Sequence, residues 1–144
     1  MVQDTRRRRA GDTVGMKHVT LPCGETVVAL GQGTWRIGDD PTRRQEEIDC
    51  LRRGIDLGLT LIDTAEMYPV PPRAETYSKT EQIIGDYFKQ RGDRADWVLA
   101  SKIAGPGNGI GYIRDGQLKH NRAHISAAVD ASLKRLQTDW IDLY

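Results

Sequence analysis

A chain of 144 residues suits one domain and leaves no room for two comfortable ones. With 21 Lys+Arg against 20 Asp+Glu the net charge is +1, so no bulk field draws the chain to nucleic acid or acidic lipid, and no apolar run approaches the ~20 residues of a membrane helix. Two cysteines, Cys23 and Cys50, make neither a disulfide framework nor a metal cluster, and a reducing, cytoplasmic setting is expected.

The charge is uneven. Residues 1–15 hold Arg6, Arg7, Arg8 and Arg9 with two aspartates, a balance of +2 that leaves −1 for residues 16–144. No apolar stretch follows the arginines, as an export signal would require. The segment reads as a disordered basic leader, with Met16 as the natural start of a domain over 16–144. Recruitment of acidic partners by the arginines is the alternative reading.

Residues 17–28 predict a hairpin, with Val19 and Leu21 before a Pro22–Glu25 turn and Thr26, Val27 and Val28 after it. Ala29 to Gly33 reads as a short inner strand where glycines allow backbones to crowd. Asp40 and Pro41 start a helix by cap chemistry, Ile48, Leu51 and Ile55 form its apolar stripe, and Gly58 stops it. Leu59 to Asp63 is nearly continuous and apolar, as in a strand covered on both faces. After a proline-rich loop (Pro69, Pro71, Pro72), Ser78 and Glu81 have the spacing of a capping box, and Ile83, Ile84, Tyr87 and Phe88 supply a second helical stripe. Trp97 to Ser101 predicts the third strand. A glycine-rich loop over 105–116 leads to a helix capped near Asn121, with Ile125, Val129, Leu133 and Leu136 on one side. Trp140 to Leu143 opens a fourth strand.

Strand ends fall near residues 33, 63, 102 and 144, at intervals of 30, 39 and 42 that each hold a loop, a helix and a return. Such alternation predicts parallel βαβ units with right-handed crossovers. An open doubly wound sheet and a barrel both satisfy it. The Rossmann pattern of three glycines is broken, because Arg36 stands where the third would follow Gly31 and Gly33. The opening hairpin, placed to plug a barrel's base, favours the barrel. A (β/α)8 barrel takes ~250 residues, so the chain holds about its N-terminal half, with about four parallel strands.

In parallel α/β folds chemistry gathers where strands end at their carboxyl side. The polar residues there are Thr34, Asp63, Tyr68 and Lys102. An unpaired carboxylate at the end of an apolar strand is costly, so Asp63 expects a cation, and Lys102 ends the next strand. Tyr68 lies on the loop five residues past Asp63. A lysine beside a phenol eases loss of its proton, and a carboxylate holds the lysine in place. The three could form a tyrosine general acid that protonates a carbonyl oxygen as hydride reaches the carbon. A structural Asp–Lys pair and a packing tyrosine would leave the same residues.

The same residues carry a family resemblance. Gly31 to Trp35, Leu61 to Tyr68, Ala100 to Ile103 and Ser132 to Tyr144 resemble motifs of the aldo-keto reductase superfamily, in its order and across residues 17–144. Residues 17–68 resemble one group of small bacterial reductases, and residues 66–81, with the proline-rich loop, another. The resemblance implies half of a (β/α)8 barrel from an enzyme that uses NADPH, without a Rossmann domain, to reduce an aldehyde or ketone to an alcohol. It makes Tyr68 the general acid, Lys102 the lysine that tunes it and Asp63 the carboxylate paired with Lys102. Gly33, Thr34, Trp35 and Asp63 fall beside the nicotinamide.

The family's fourth catalytic residue, a histidine, would follow Leu143 and Tyr144, and its main NADPH contacts would follow later still. His18, His120 and His124 match none of these places. A chain truncated after the fourth strand is therefore expected to turn over little or nothing alone, and its open half-barrel edges invite self-association. The expected ligand is a small carbonyl compound, with no metal, nucleic acid or membrane. A non-catalytic binding or regulatory module on the same scaffold is the alternative, which intact Asp63, Tyr68 and Lys102 oppose.

Overall fold

Leu143 hydrogen-bonds beside Ala100, and that one pairing separates the two architectures. The computed structural model describes residues 15–144, so the expected basic leader, apart from Gly15, lies outside the described residues. Strands β1 (His18–Thr20) and β2 (Thr26–Val28) form the expected antiparallel hairpin, with His18 opposite Val28. Gly24, at φ +87, makes the turn, and Val27 and Val28 are buried. A separate parallel sheet has the order β3 (Gln32–Gly33), β4 (Leu61–Asp63), β5 (Val98–Ala100). Gly33 pairs with Asp63 and Asp63 with Ala100, so three strand ends share one level.

The expected fourth strand is a single parallel bridge, Ala100 to Leu143, flanked by Asp142 N–H to Leu99 O and Ser101 N–H to Leu143 O, each 3.0 Å. A doubly wound sheet reverses its order once, returning its third or its fourth strand to the edge of the first. Here the fourth joins the third, and the order runs on in one direction, as in a barrel. The strands are shorter than the sequence suggests. In the first, Gly31 is crowded, with an added Cβ 3.0 Å from Leu61, whereas a Cβ on Gly33 meets nothing within 4 Å.

Helices α1 (Arg44–Asp56), α2 (Lys79–Arg91) and α3 (Arg122–Leu136) connect the strands. Asp40 caps as expected, but it caps a 3₁₀ turn over Pro41–Arg43, accepting from Thr42 N–H at 2.9 Å, and α1 follows from that turn. The core lies between sheet and helices: Ile48 and Leu51 of α1, Ile62 of β4, Ile83, Ile84, Tyr87 and Phe88 of α2, Leu99 of β5 and Leu136 of α3. Trp97 stands edge-on to Tyr87 and Phe88, with centroids 5.3 and 4.7 Å away. Each such side chain contributes ~1.5–3 kcal/mol by burial.

Two local expectations fail, the first through the close approach of α2 and α3. A Cβ on Gly85 would lie 2.2 Å from Arg135 O and 2.8 Å from the Leu136 carbonyl carbon, so only glycine fits. The face α3 buries is accordingly lined by small residues, Ala128 and Ser132, with Leu136. Of the expected stripe only Leu136 is fully buried; Val129 and Leu133 are half-buried and Ile125 is exposed. The capping box is also absent. Ser78 is left-handed at φ 60 and its Oγ donates to Glu66 O at 2.8 Å. Glu81 is wholly buried and turns to Ser101 Oγ (2.6 Å) and Arg135 Nε (2.7 Å). A second buried pair, Arg94 with Asp142 at 2.9 Å, ties the approach to β5 to the segment that bridges it.

Candidate active site

Register sets the site. Because Asp63 pairs with Ala100, Lys102 stands two residues past the end of β5 within reach of the Asp63 carboxylate. Lys102 Nζ donates to Asp63 Oδ1 at 2.8 Å and to Thr64 O at 2.7 Å. The same ammonium lies 5.1 Å from the centre of the Tyr68 ring, on its face. Tyr68 reaches that place because its N–H closes a turn onto Ala65 O at 3.1 Å. The structure thus brings Asp63, Tyr68 and Lys102 together.

The Asp–Lys pair is not the buried contact that the sequence predicts. The side chains of Asp63 and Lys102 are 50% and 47% exposed, so Asp63 is not a sealed carboxylate forced to find a cation. It faces solvent on the rim, where ion pairs contribute ~0.2–1 kcal/mol. Stability alone does not account for the pairing.

Thr34, Gly33 and Trp35 line the neighbouring strand end in three different ways. Thr34 is buried and its hydroxyl is committed to the fold, donating to Asp63 O at 2.8 Å. Gly33 leaves open space, and Trp35 is 59% exposed. The Trp35 carbonyl accepts from Val70 N–H at 2.9 Å, which ties the proline-rich loop to this strand end. The peptide bonds before Pro69 and Pro71 in that loop are cis. Arg73 clamps the same loop by pairing with Asp39, which also meets Arg36 at 3.5 Å, so both arginines share a carboxylate.

Sequence inspection missed the residue that anchors this arrangement. Glu66 is 1% exposed and accepts from Ala104 N–H at 2.8 Å, Tyr77 Oη at 3.0 Å and the Arg114 guanidinium. Burial, with the Glu66 carboxylate next, raises the Tyr77 phenol above its ordinary value. The glycine-rich loop is folded rather than loose: Ala104, Ile110, Ile113 and Leu118 form a small second core, with Met67, Tyr77 and Tyr112 against it. Glu66 joins partners up to 48 positions away, and no local pattern announces such a pairing.

The family model described as "Aldo/keto reductase family" matches residues 29–144. The chain belongs to the aldo/keto reductase family. Protein tas of Escherichia coli is 42% identical over 119 residues, 82% of this chain and 34% of that protein. Methylglyoxal reductase YeaE of Escherichia coli is 42% identical over 116 residues, 81% of this chain and 34% of that protein. An aldo-keto reductase of Klebsiella pneumoniae, solved in complex with NADPH, superposes with a TM-score of 0.67 at 36% identity, over 88% of this chain and 37% of that one. The chain therefore spans about a third of the length of these two curated relatives. Among the described residues no helix is long and apolar enough to cross a membrane, no group of three or more His, Cys, Asp or Glu could hold a metal, and Cys23 and Cys50 are free and exposed.

Proposed function

We propose that this chain carries the proton-donating part of an NADPH-dependent carbonyl reductase site, with Tyr68 as general acid. The supporting observation is the Lys102 ammonium, held by Asp63 at 2.8 Å and set 5.1 Å from the Tyr68 ring centre on an open rim. A general acid at that position gives its proton to the carbonyl oxygen as negative charge grows there, a contribution of ~10²–10⁴ in rate. Lys102 favours the phenolate left behind, and Asp63 orients Lys102 by accepting one of its protons. One hydride at carbon and one proton at oxygen convert the carbonyl to an alcohol. Asp63, Tyr68 and Lys102 are the catalytic residues of this reading.

The rim suits the nicotinamide end of the cofactor. Gly33 leaves space where a side chain would stand, and Asp63 offers a half-exposed carboxylate beside it. Gly33, Thr34, Trp35 and Asp63 would hold that end, Thr34 by fixing the strand end and Trp35 by its exposed ring. NADPH, when bound, supplies the hydride. Arg36 and Arg73 share Asp39, so this rim offers the cofactor's phosphates little free positive charge. We assign the domain to residues 16–144, in a cytoplasmic protein whose substrate is a small aldehyde or ketone. The 144-residue chain alone shows little or no turnover, because its sheet ends at β3 on one side and at a single bridge on the other.

The reading is tested by a chimera in which residues 29–144 replace the matching segment of Methylglyoxal reductase YeaE, a relative 42% identical over the aligned stretch. With NADPH the chimera should reduce methylglyoxal. A folded chimera without that activity, beside an active parent, would contradict it.

A further inference from the structure

Glu66 touches the site just past Lys102, at two backbone points that flank Ile103. Its N–H donates to Lys102 O at 3.0 Å, and its carboxylate accepts from Ala104 N–H at 2.8 Å. Its carbonyl accepts from Ser78 Oγ at 2.8 Å, which anchors the same turn to the start of α2. Tyr68 lies two residues further along that turn. One buried residue, by its backbone N–H and its carboxylate together, thus joins the segment carrying the phenol to the segment carrying the ammonium.

Arg114 completes the clamp. Its guanidinium pairs with the Glu66 carboxylate, and Nη2 donates to Ala104 O at 2.8 Å. The arginine side chain is 14% exposed and the glutamate 1%, so the charges are largely withdrawn from water and each depends on the other. Arg114 and Asp115 both occupy left-handed backbone, at φ 46 and φ 54. Two adjacent non-glycine residues seldom do so, and here the conformation accompanies the delivery of the guanidinium to Glu66.

We infer that Glu66, held by Arg114, is a positioning residue that fixes the backbone carrying Lys102 against the turn carrying Tyr68, where Asp63 orients the ammonium. The inference rests on Tyr68 and Lys102 forming the site, and it adds that the fold of the 104–118 loop sets their spacing. Neither Glu66 nor Arg114 meets the reacting atoms; both act through the two segments they join.

The test is made by nuclear magnetic resonance on the 144-residue chain, reading the cross-relaxation between the Lys102 ε-methylene and Tyr68 ring protons. Tyr68→Leu identifies the signal by abolishing it. In Glu66→Gln and in Arg114→Met most of that cross-relaxation should disappear, while the methyl resonances of Ile62 and Leu99 keep their wild-type positions. Arg114→Lys, which keeps the charge, should restore part of it. Should Glu66→Gln fail to fold, the contrast between Arg114→Met and Arg114→Lys decides. Full cross-relaxation in the folded Glu66→Gln and Arg114→Met chains would overturn the inference. Failure of the general-acid reading looks different: Tyr68→Phe would then keep its turnover in the chimera, with the spacing signal in the 144-residue chain unchanged.

Discussion

Replacing Asp63 by asparagine separates a residue that serves chemistry from one that serves the scaffold. The Asp63 side chain is 50% exposed and takes one hydrogen bond from Lys102 at 2.8 Å. Such exposed pairs contribute ~0.2–1 kcal/mol, and asparagine keeps an acceptor oxygen in the same place. With a urea dependence of ~1–3 kcal/mol/M, the unfolding midpoint of the 144-residue chain should fall by less than about 1 M. Trp97, 1% exposed in the core, reports that transition by fluorescence. With Tyr68 as the proposed general acid, the chemistry would depend on the charge that asparagine lacks, because an unanchored Lys102 no longer stands fixed beside the phenol. In the chimera, kcat for methylglyoxal should fall on the order of 10²-fold, within the range ascribed to general acid catalysis. A loss of more than about 2 kcal/mol of stability with kcat unchanged would refute the reasoning and make the pair structural, since a loss that large is typical of buried pairs.

The buried pairs should behave in the opposite way. Arg135→Ala strips the wholly buried Glu81 of its cation and should cost about 3 kcal/mol by urea unfolding, with much of that recovered in Arg135→Ala/Glu81→Leu; a cost under about 1 kcal/mol would show that water reaches the carboxylate. Gly85→Ala gains ~1 kcal/mol of helix propensity but drives a Cβ to 2.2 Å from Arg135 O, so a net loss of about 2 kcal/mol is expected, and a more stable variant would refute the close helix contact. Partial withdrawal from water pushes the phenol of Tyr144, a residue still 45% exposed, up to about 12 from an ordinary 10.0. The fold thus favours the neutral phenol: this contribution is complete below the unfolded value and is lost as pH rises from ~10 toward ~12. Thermal melts across that range should fall less steeply in Tyr144→Phe than in the wild type, and identical slopes would count against the burial. Tyr77 and Tyr87 are raised in the same direction by their own burial, so part of the alkaline loss should persist in that variant.

Much of the fold was legible because it rests on local signals. The hairpin, the Asp40 cap, the Gly58 stop and the Ile83–Phe88 stripe are each written within a few residues, and all appear in the structure. The proximity of Asp63, Tyr68 and Lys102 was legible by a different route, since strand alternation brings strand ends to one level wherever the residues lie in the chain. What escaped is long-range. Glu66 with Arg114, Glu81 with Arg135 and Arg94 with Asp142 pair across 48, 54 and 48 positions, and each looks like an ordinary charged surface residue in sequence. Ser78 and Glu81 misled because their spacing matches a capping box. The left-handed backbone at Ser78 and the burial of Glu81 send both side chains elsewhere. The α3 stripe misled because apolarity marks what can be buried, whereas the contact at Gly85 decides which residues are small enough to be.

Proton donation by Tyr68 is tested most directly by one substitution in the chimera. Tyr68→Phe removes the hydroxyl and keeps the ring against Lys102, so substrate and NADPH should bind with little change in KM. The kcat for methylglyoxal is expected to fall by ~10²–10⁴. A Tyr68→Phe chimera that keeps the kcat of its unsubstituted counterpart would contradict proton donation by Tyr68.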